Sequence, residues 1–123
     1  MNKIIVYIFL LITVLTCFCA CGRSGREYKG YITFQLQDTD DVLIIKEWTY
    51  LLSSGADIYY KHGDDAPVFL GKTSGGDNGF CPFSEGMYEI TEDGDAVKIS
   101  WCFKPSDSDR ANWRSEYFQL PIK

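Results

Sequence analysis

Apolar side chains recur at every second position through most of this chain, and that alternation constrains the fold more than any other feature. Period two puts alternate residues on opposite faces of an extended strand, whereas an amphipathic helix repeats near every 3.6 residues. The clearest case is residues 96–103, where Val97, Ile99, Trp101 and Phe103 point one way and Lys98, Ser100 and Cys102 the other. In residues 28–37, Ile32, Phe34 and Leu36 share a face opposite Tyr31, Thr33, Gln35 and Gln37. Residues 42–52 are apolar on both faces, with Ile44, Trp48, Tyr50 and Leu52 in phase, which suits a central strand. Ser53, Ser54 and Gly55 are expected to break it. Ala56, Ile58 and Tyr60 line one face of residues 56–61, and Pro67 starts a short strand over 67–72 or confines it to an edge. Residues 86–91 and 113–120 complete the predicted strands, and Asp93-Gly94 is a strong hairpin signal. No helical segment is long enough for a parallel crossover. The expectation is an all-β, antiparallel domain of about six to seven strands, a sandwich in preference to a partly open barrel.

The start of the chain has a different character. Lys3 precedes an apolar run over residues 4–16, which ends in Cys17-Phe18-Cys19-Ala20-Cys21-Gly22. A short positive start, an apolar run and a small-residue exit make up a secretory signal peptide. Phe18-Cys19-Ala20-Cys21 resembles the lipobox of bacterial lipoproteins, whose form is Leu-(Ala/Ser)-(Gly/Ala)-Cys. Ala20 and Cys21 match, Cys19 is small, and Phe18 stands where Leu is usual. The resemblance implies cleavage after Ala20, a diacylglyceryl thioether on Cys21 and an acylated, palmitate-type new N-terminus. An uncleaved membrane helix over residues 4–21 and simple secretion are the alternatives. All three place the body outside the cytoplasm. The expected organisation is a signal peptide at 1–20, a lipidated tether at 21–29 and one β-rich domain at 30–123, held at the cell membrane or outer membrane.

Beyond the leader about 100 residues remain, enough for one domain with a modest core. The chain carries a net charge of −5, and its basic residues are scattered singly, which argues against nucleic acid as a partner and suits a basic one. Eight Tyr, eight Phe and three Trp exclude disorder for most of the body. Of five cysteines, Cys17 and Cys19 leave with the leader and Cys21 takes the lipid. Cys81 and Cys102 remain as a pair in an oxidising compartment, so a disulfide is expected, with two thiols, or one thiol with a catalytic role, as the alternative. Closing such a loop would contribute about 3 kcal/mol.

Chemical motifs are few. Residues 66–73 fit a permissive phosphate-loop pattern, but Pro67, Val68, Phe69 and Leu70 read as a strand, and the glycines that follow cannot start the helix that phosphate binding needs. His62 is the only histidine and lies in a turn sequence, where a solvated role is the simple reading. Asp38, Asp40 and Asp41, and Asp107, Asp109 and Asn112, form acidic turns without the glycine and distal glutamate of a calcium loop. Nothing in the spacing of Glu85, Glu89 and Glu116 selects a glycosidase pair. The glycine-rich stretch 74–83 is the candidate binding loop, with Phe80 and Phe83 in it and Trp113 as a further, partly exposed aromatic. Its alternative role is structural, the glycines serving turns and the phenylalanines capping the core. Trp48 and Trp101 are expected to pack. No cofactor is expected. The reading is a membrane-tethered, non-catalytic envelope domain that binds another protein, an inhibitor or immunity-type role included. A glycan-binding module is the alternative, which aromatics clustered on one outer face would favour. A small enzyme, built on His62 with a carboxylate and a nucleophile, is third.

Overall fold

A computed structural model describes residues 25–37, 39–106 and 109–121. The expected leader with Cys21, and Asp38 and Asp107 of the acidic turns, lie outside these residues. The described residues form seven strands in two antiparallel sheets. In sequence order, β1 (Glu27–Gln35), β2 (Asp41–Tyr50), β3 (Ser53–His62) and β4 (Val68–Ser74) make a four-stranded meander, and β5 (Tyr88–Asp93), β6 (Ala96–Trp101) and β7 (Arg114–Gln119) a three-stranded one. Neither sheet closes on itself, so the fold is a sandwich and not a barrel. Among the described residues no helix is long and apolar enough to cross a membrane.

Alternation along the strands builds the core. Leu43, Ile45, Ala56, Ile58 and Tyr60 from the larger sheet meet Val97, Ile99, Trp101 and Phe118 from the smaller, with Leu36 and Phe83 in the same cluster. Ile32 and Phe34 pack against it, on the face the alternation predicted. Leu43, Ile45, Ile58, Val97 and Ile99 are fully buried, each contributing about 1.5–3 kcal/mol. Central β2 is apolar on both faces as expected. Its inward set is Leu43 and Ile45, opposite Tyr60 and Ile58, and this leaves Ile44, Trp48 and Tyr50 on the outside.

Ser53, Ser54 and Gly55 do not break the chain. They open β3, and the turn is made by Leu51 and Leu52. The serines find partners there: Ser53 Oγ donates to the Tyr50 carbonyl and Ser54 Oγ to that of Phe80, both at 2.7 Å. The pairing of β1 with β2 slips between Tyr28 and Gly30, and that of β3 with β4 between Ile58 and Tyr59, so each outer strand of the larger sheet is bulged.

The expected Cys81–Cys102 disulfide is absent, and both residues are thiols. β6 stops at Trp101, so Cys102 leaves the alternation and is fully buried instead of lying on the outer face. Its N–H donates to the Met87 carbonyl at 3.0 Å. Each sulfur is directed to a carbonyl of its own segment, Cys102 to Lys104 at 2.9 Å and Cys81 to Gly79 at 3.5 Å, and not towards the other.

Two carboxylates, Asp41 and Glu47, share the inward phase of β2 and are buried. Glu47 is in phase with Leu43 and Ile45 and is 3% exposed. Its carboxylate accepts the Phe83 N–H at 2.9 Å, the Ser84 N–H at 2.8 Å and the Ser84 hydroxyl. These bonds hold the segment between β4 and β5 against the inner face of β2. Glu47→Ala would strand the buried Phe83 amide and free the part-buried Ser84 amide, and should destabilise the domain by about 2 kcal/mol. Glu47→Gln, which keeps one acceptor, should cost about half as much. Urea unfolding midpoints read the difference.

Candidate functional site

The outer face of the larger sheet carries a second aromatic layer, assembled by the strand register. Three rows run across it. Tyr28, Trp48, Gly55 and Ser74 are cross-strand neighbours, then Tyr31, Lys46, Asp57 and Lys72, then Thr33, Ile44, Tyr59 and Phe69. Tyr31 is 71% exposed, Phe69 55% and Tyr28 54%. Large apolar rings left in water at this density mark interaction surfaces.

Beneath them the layer is ordered around Asp57, which is buried. One carboxylate oxygen accepts the Trp48 indole N–H at 3.1 Å, and the other accepts the Tyr28 hydroxyl at 3.3 Å, with the Arg26 guanidinium 3.9 Å away. A buried carboxylate is tolerable only when so compensated. Trp48 is buried, as expected of a packing residue, but on this outer layer. Its indole lies so close to Gly55 that a Cβ there would come within 2.6 Å of the ring. The Arg26 guanidinium stacks 4.2 Å from its ring centroid. Tyr59 meets Phe69 edge to face at 5.5 Å, and the Lys46 ammonium lies 5.1 Å from the Tyr59 ring. A concavity of about 400 Å³ opens between Tyr28, Gly30, Tyr31, Lys46 and Tyr59. The chain is acidic, but this face carries Lys46, Lys61 and Lys72 against Asp57 alone, whose charge is buried and matched. It is locally basic.

The residues singled out in the sequence are distributed differently. Phe83 is 2% exposed and packs against Tyr88 and Trp101, with ring centroids 5.3 and 6.4 Å away, so it is a core residue and not a ligand contact. Phe80 is half-buried, its carbonyl held by Ser54 Oγ at 2.7 Å and by the Gly76 N–H at 3.0 Å. Trp113 is also half-buried, with the Arg110 guanidinium 5.4 Å from its ring. With Phe83 in the core, the three do not make one binding face. Residues 68–73 of the phosphate-loop pattern lie in β4, and Thr73 is buried, so that stretch is a strand.

His62 ends β3, and its Nδ1 is hydrogen-bonded to Asp41, a buried carboxylate that also bonds the Tyr60 hydroxyl. The imidazole is solvent-exposed, as expected, and is also oriented by Asp41 at the end of a strand. No serine or cysteine among the described residues is hydrogen-bonded to its ring. Among the described residues no group of three or more His, Cys, Asp or Glu is placed to hold a metal ion. Comparison of the chain with known protein families, with curated proteins and with solved structures finds no match in any of the three.

Burial pushes the Cys81 thiol above its ordinary range, with the negative charges of Glu47 and Glu85 acting in the same direction and Lys29 opposing them. The thiolate is the reactive form, so Cys81 should alkylate slowly near neutral pH. Its rate should still be rising at a pH where a small-molecule thiol has levelled off. Iodoacetamide labelling of the native protein across alkaline pH measures this, and a plateau near pH 8 would contradict it.

Proposed function

We propose that this is a non-catalytic binding domain, lipid-anchored through Cys21 on the outer side of a bacterial membrane, whose ligand is a protein docked on the aromatic face of the larger sheet. The observation that carries the reading is the layer of Tyr28, Tyr31 and Phe69, exposed around the half-buried Tyr59 and above a carboxylate-pinned Trp48. Tyrosine supplies large contact area with few rotatable bonds, and interfaces are enriched in it. The lysines around the rings suit a neutral or acidic partner surface, which replaces the basic partner that net charge alone suggested. An inhibitor or immunity-type role fits a small tethered domain of this kind.

A second reading is glycan binding. The concavity between Tyr28, Tyr31, Lys46 and Tyr59 supports it, because a sugar ring stacks on aromatic faces and its hydroxyls take polar groups at the rim.

A photo-crosslinking residue at Tyr31 of the full-length chain, with Thr91 on the other sheet as control, separates the readings. One stoichiometric protein captured at position 31 and not at 91 is the expected result. Equal capture at both would remove this face as the site. No protein captured, with retention on isolated cell wall, would move the assignment to glycan. Tyr31→Ser and Phe69→Ser should each weaken capture by at least about tenfold. Tyr31→Ser, at a 71% exposed position, should change stability by no more than about 0.5 kcal/mol, and Phe69→Ser, which loses the edge contact with Tyr59, by about 1 kcal/mol.

Cys21→Ser should release the protein from the membrane fraction or block its processing. Unchanged retention would instead indicate an uncleaved helix.

A further inference from the structure

The β2–β3 hairpin ends in two leucines in water: Leu51 is 85% exposed and Leu52 78%. Leu51 also sits in the left-handed backbone region, at φ +52°. That region penalises a side chain with a Cβ, and tight hairpins fill it with Gly or Asn. The same chain does so elsewhere. The β3–β4 turn has Gly63 at φ +52° and the β5–β6 turn has Gly94 at φ +60°. At Leu51 the chain accepts both a strained backbone and an apolar side chain that the described residues leave largely uncovered. Folding gains nothing from either.

The position of the tip supplies the reason. The Tyr50 ring packs directly on Gly25, close enough that a Cβ there would come within 2.3 Å of it. The described chain therefore enters the sandwich beside Leu51 and Leu52. Only four residue steps separate Gly25 from Cys21, a reach of at most about 14 Å. The neighbouring loop adds to the same end. Gly79 lies against the Leu52 carbonyl, so the half-buried Phe80 follows within one residue of the tip. Among the described residues near the entry of the chain, Lys29 is paired with Glu27 at 3.2 Å and Arg26 faces Asp57, while the tip itself offers only apolar side chains.

We infer that Leu51 and Leu52 insert into the lipid interface of the membrane that anchors the chain. They form a second, non-covalent contact that fixes how the sandwich stands on the bilayer. The inference rests on the anchor at Cys21 proposed above. Apolar side chains in this role enter roughly 5–10 Å, to the boundary between headgroups and acyl chains. With the tip seated there, β2 and β3 rise from the membrane and the turn at Gly63 points away from it. The aromatic face then stands along the side of the molecule, accessible to a partner.

The test uses the full-length, processed chain in phosphatidylethanolamine–phosphatidylglycerol vesicles containing lipids spin-labelled near the headgroup. Leu52→Trp reports the tip and Asp64→Trp the opposite end, each read against the native tryptophans. The expected result is severalfold stronger quenching at position 52 than at 64. In addition, Leu51→Asn with Leu52→Asn, read by a spin label or fluorophore near Ser53, should show loss of lipid contact. The same pair should leave the melting temperature unchanged or raised, because the strained leucine is relieved. Vesicle-bound protein with no difference between positions 52 and 64 would overturn insertion and leave the anchor standing. Protein that does not float with the vesicles would overturn the anchor and the insertion together. Blue-shifted, unquenched emission from the Leu52→Trp variant would put a protein surface on the tip and overturn the lipid assignment.

Discussion

A single buried carboxylate fastens the two halves of this sandwich. Each sheet is a meander of sequential strands and needs only local turns, but the segment from Ser74 to Tyr88 must carry the chain from one sheet to the other. Glu47 receives it. Burying an uncompensated carboxylate costs several kcal/mol, and burying unpaired backbone N–H groups is also costly. Neither penalty is relieved unless Phe83 and Ser84 present their amides to Glu47 together. That mutual requirement selects one seat for the segment, and seating it delivers the Phe83 ring between Tyr88 and Trp101. Further bonds, from Asp77 N–H to the Phe103 carbonyl at 2.7 Å and from Cys102 N–H to that of Met87, tie the same segment to the exit of β6.

The outer layer repeats the device on the neighbouring strand. Asp57 is saturated by the Trp48 indole and the Tyr28 phenol, so what solvent meets is ring and lysine and not carboxylate. Of the exposed rings Tyr28 is fixed in this way, and the buried Trp48 forms the floor beside it. The two carboxylates point to opposite sides of the sheet. One orders the interior and the other the surface.

Period two made much of this legible. It placed Ile32 and Phe34 inward on β1, Ala56, Ile58 and Tyr60 inward on β3, and Val97, Ile99 and Trp101 inward on β6. It could not assign the phase of β2, because a strand apolar on both faces carries no marker of which side is the core. Glu47, charged and in phase with Leu43 and Ile45, even marks the wrong side by ordinary rules, and only the amides of Phe83 and Ser84 make it an inward acceptor. Ser53, Ser54 and Gly55 look like a turn, and the ladder overrides them because their hydroxyls are satisfied inside the strand. The aromatic face was the least visible element. Tyr28, Tyr31, Tyr59 and Phe69 sit far apart in the chain, and only the cross-strand register brings them together. The cysteines misled for a related reason: counting and compartment pair them, while the local backbone turns each sulfur to its own neighbours.

The slips in register at Tyr28/Gly30 and Ile58/Tyr59 bear on how the protein behaves in company. A straight outer strand is a template on which another chain can add its own ladder. Both borders of the larger sheet are kinked instead, so two copies brought side by side meet mismatched hydrogen-bonding groups. Edge-to-edge pairing through the larger sheet is therefore opposed at both of its borders, whereas β5 and β7 of the smaller sheet run without such a slip.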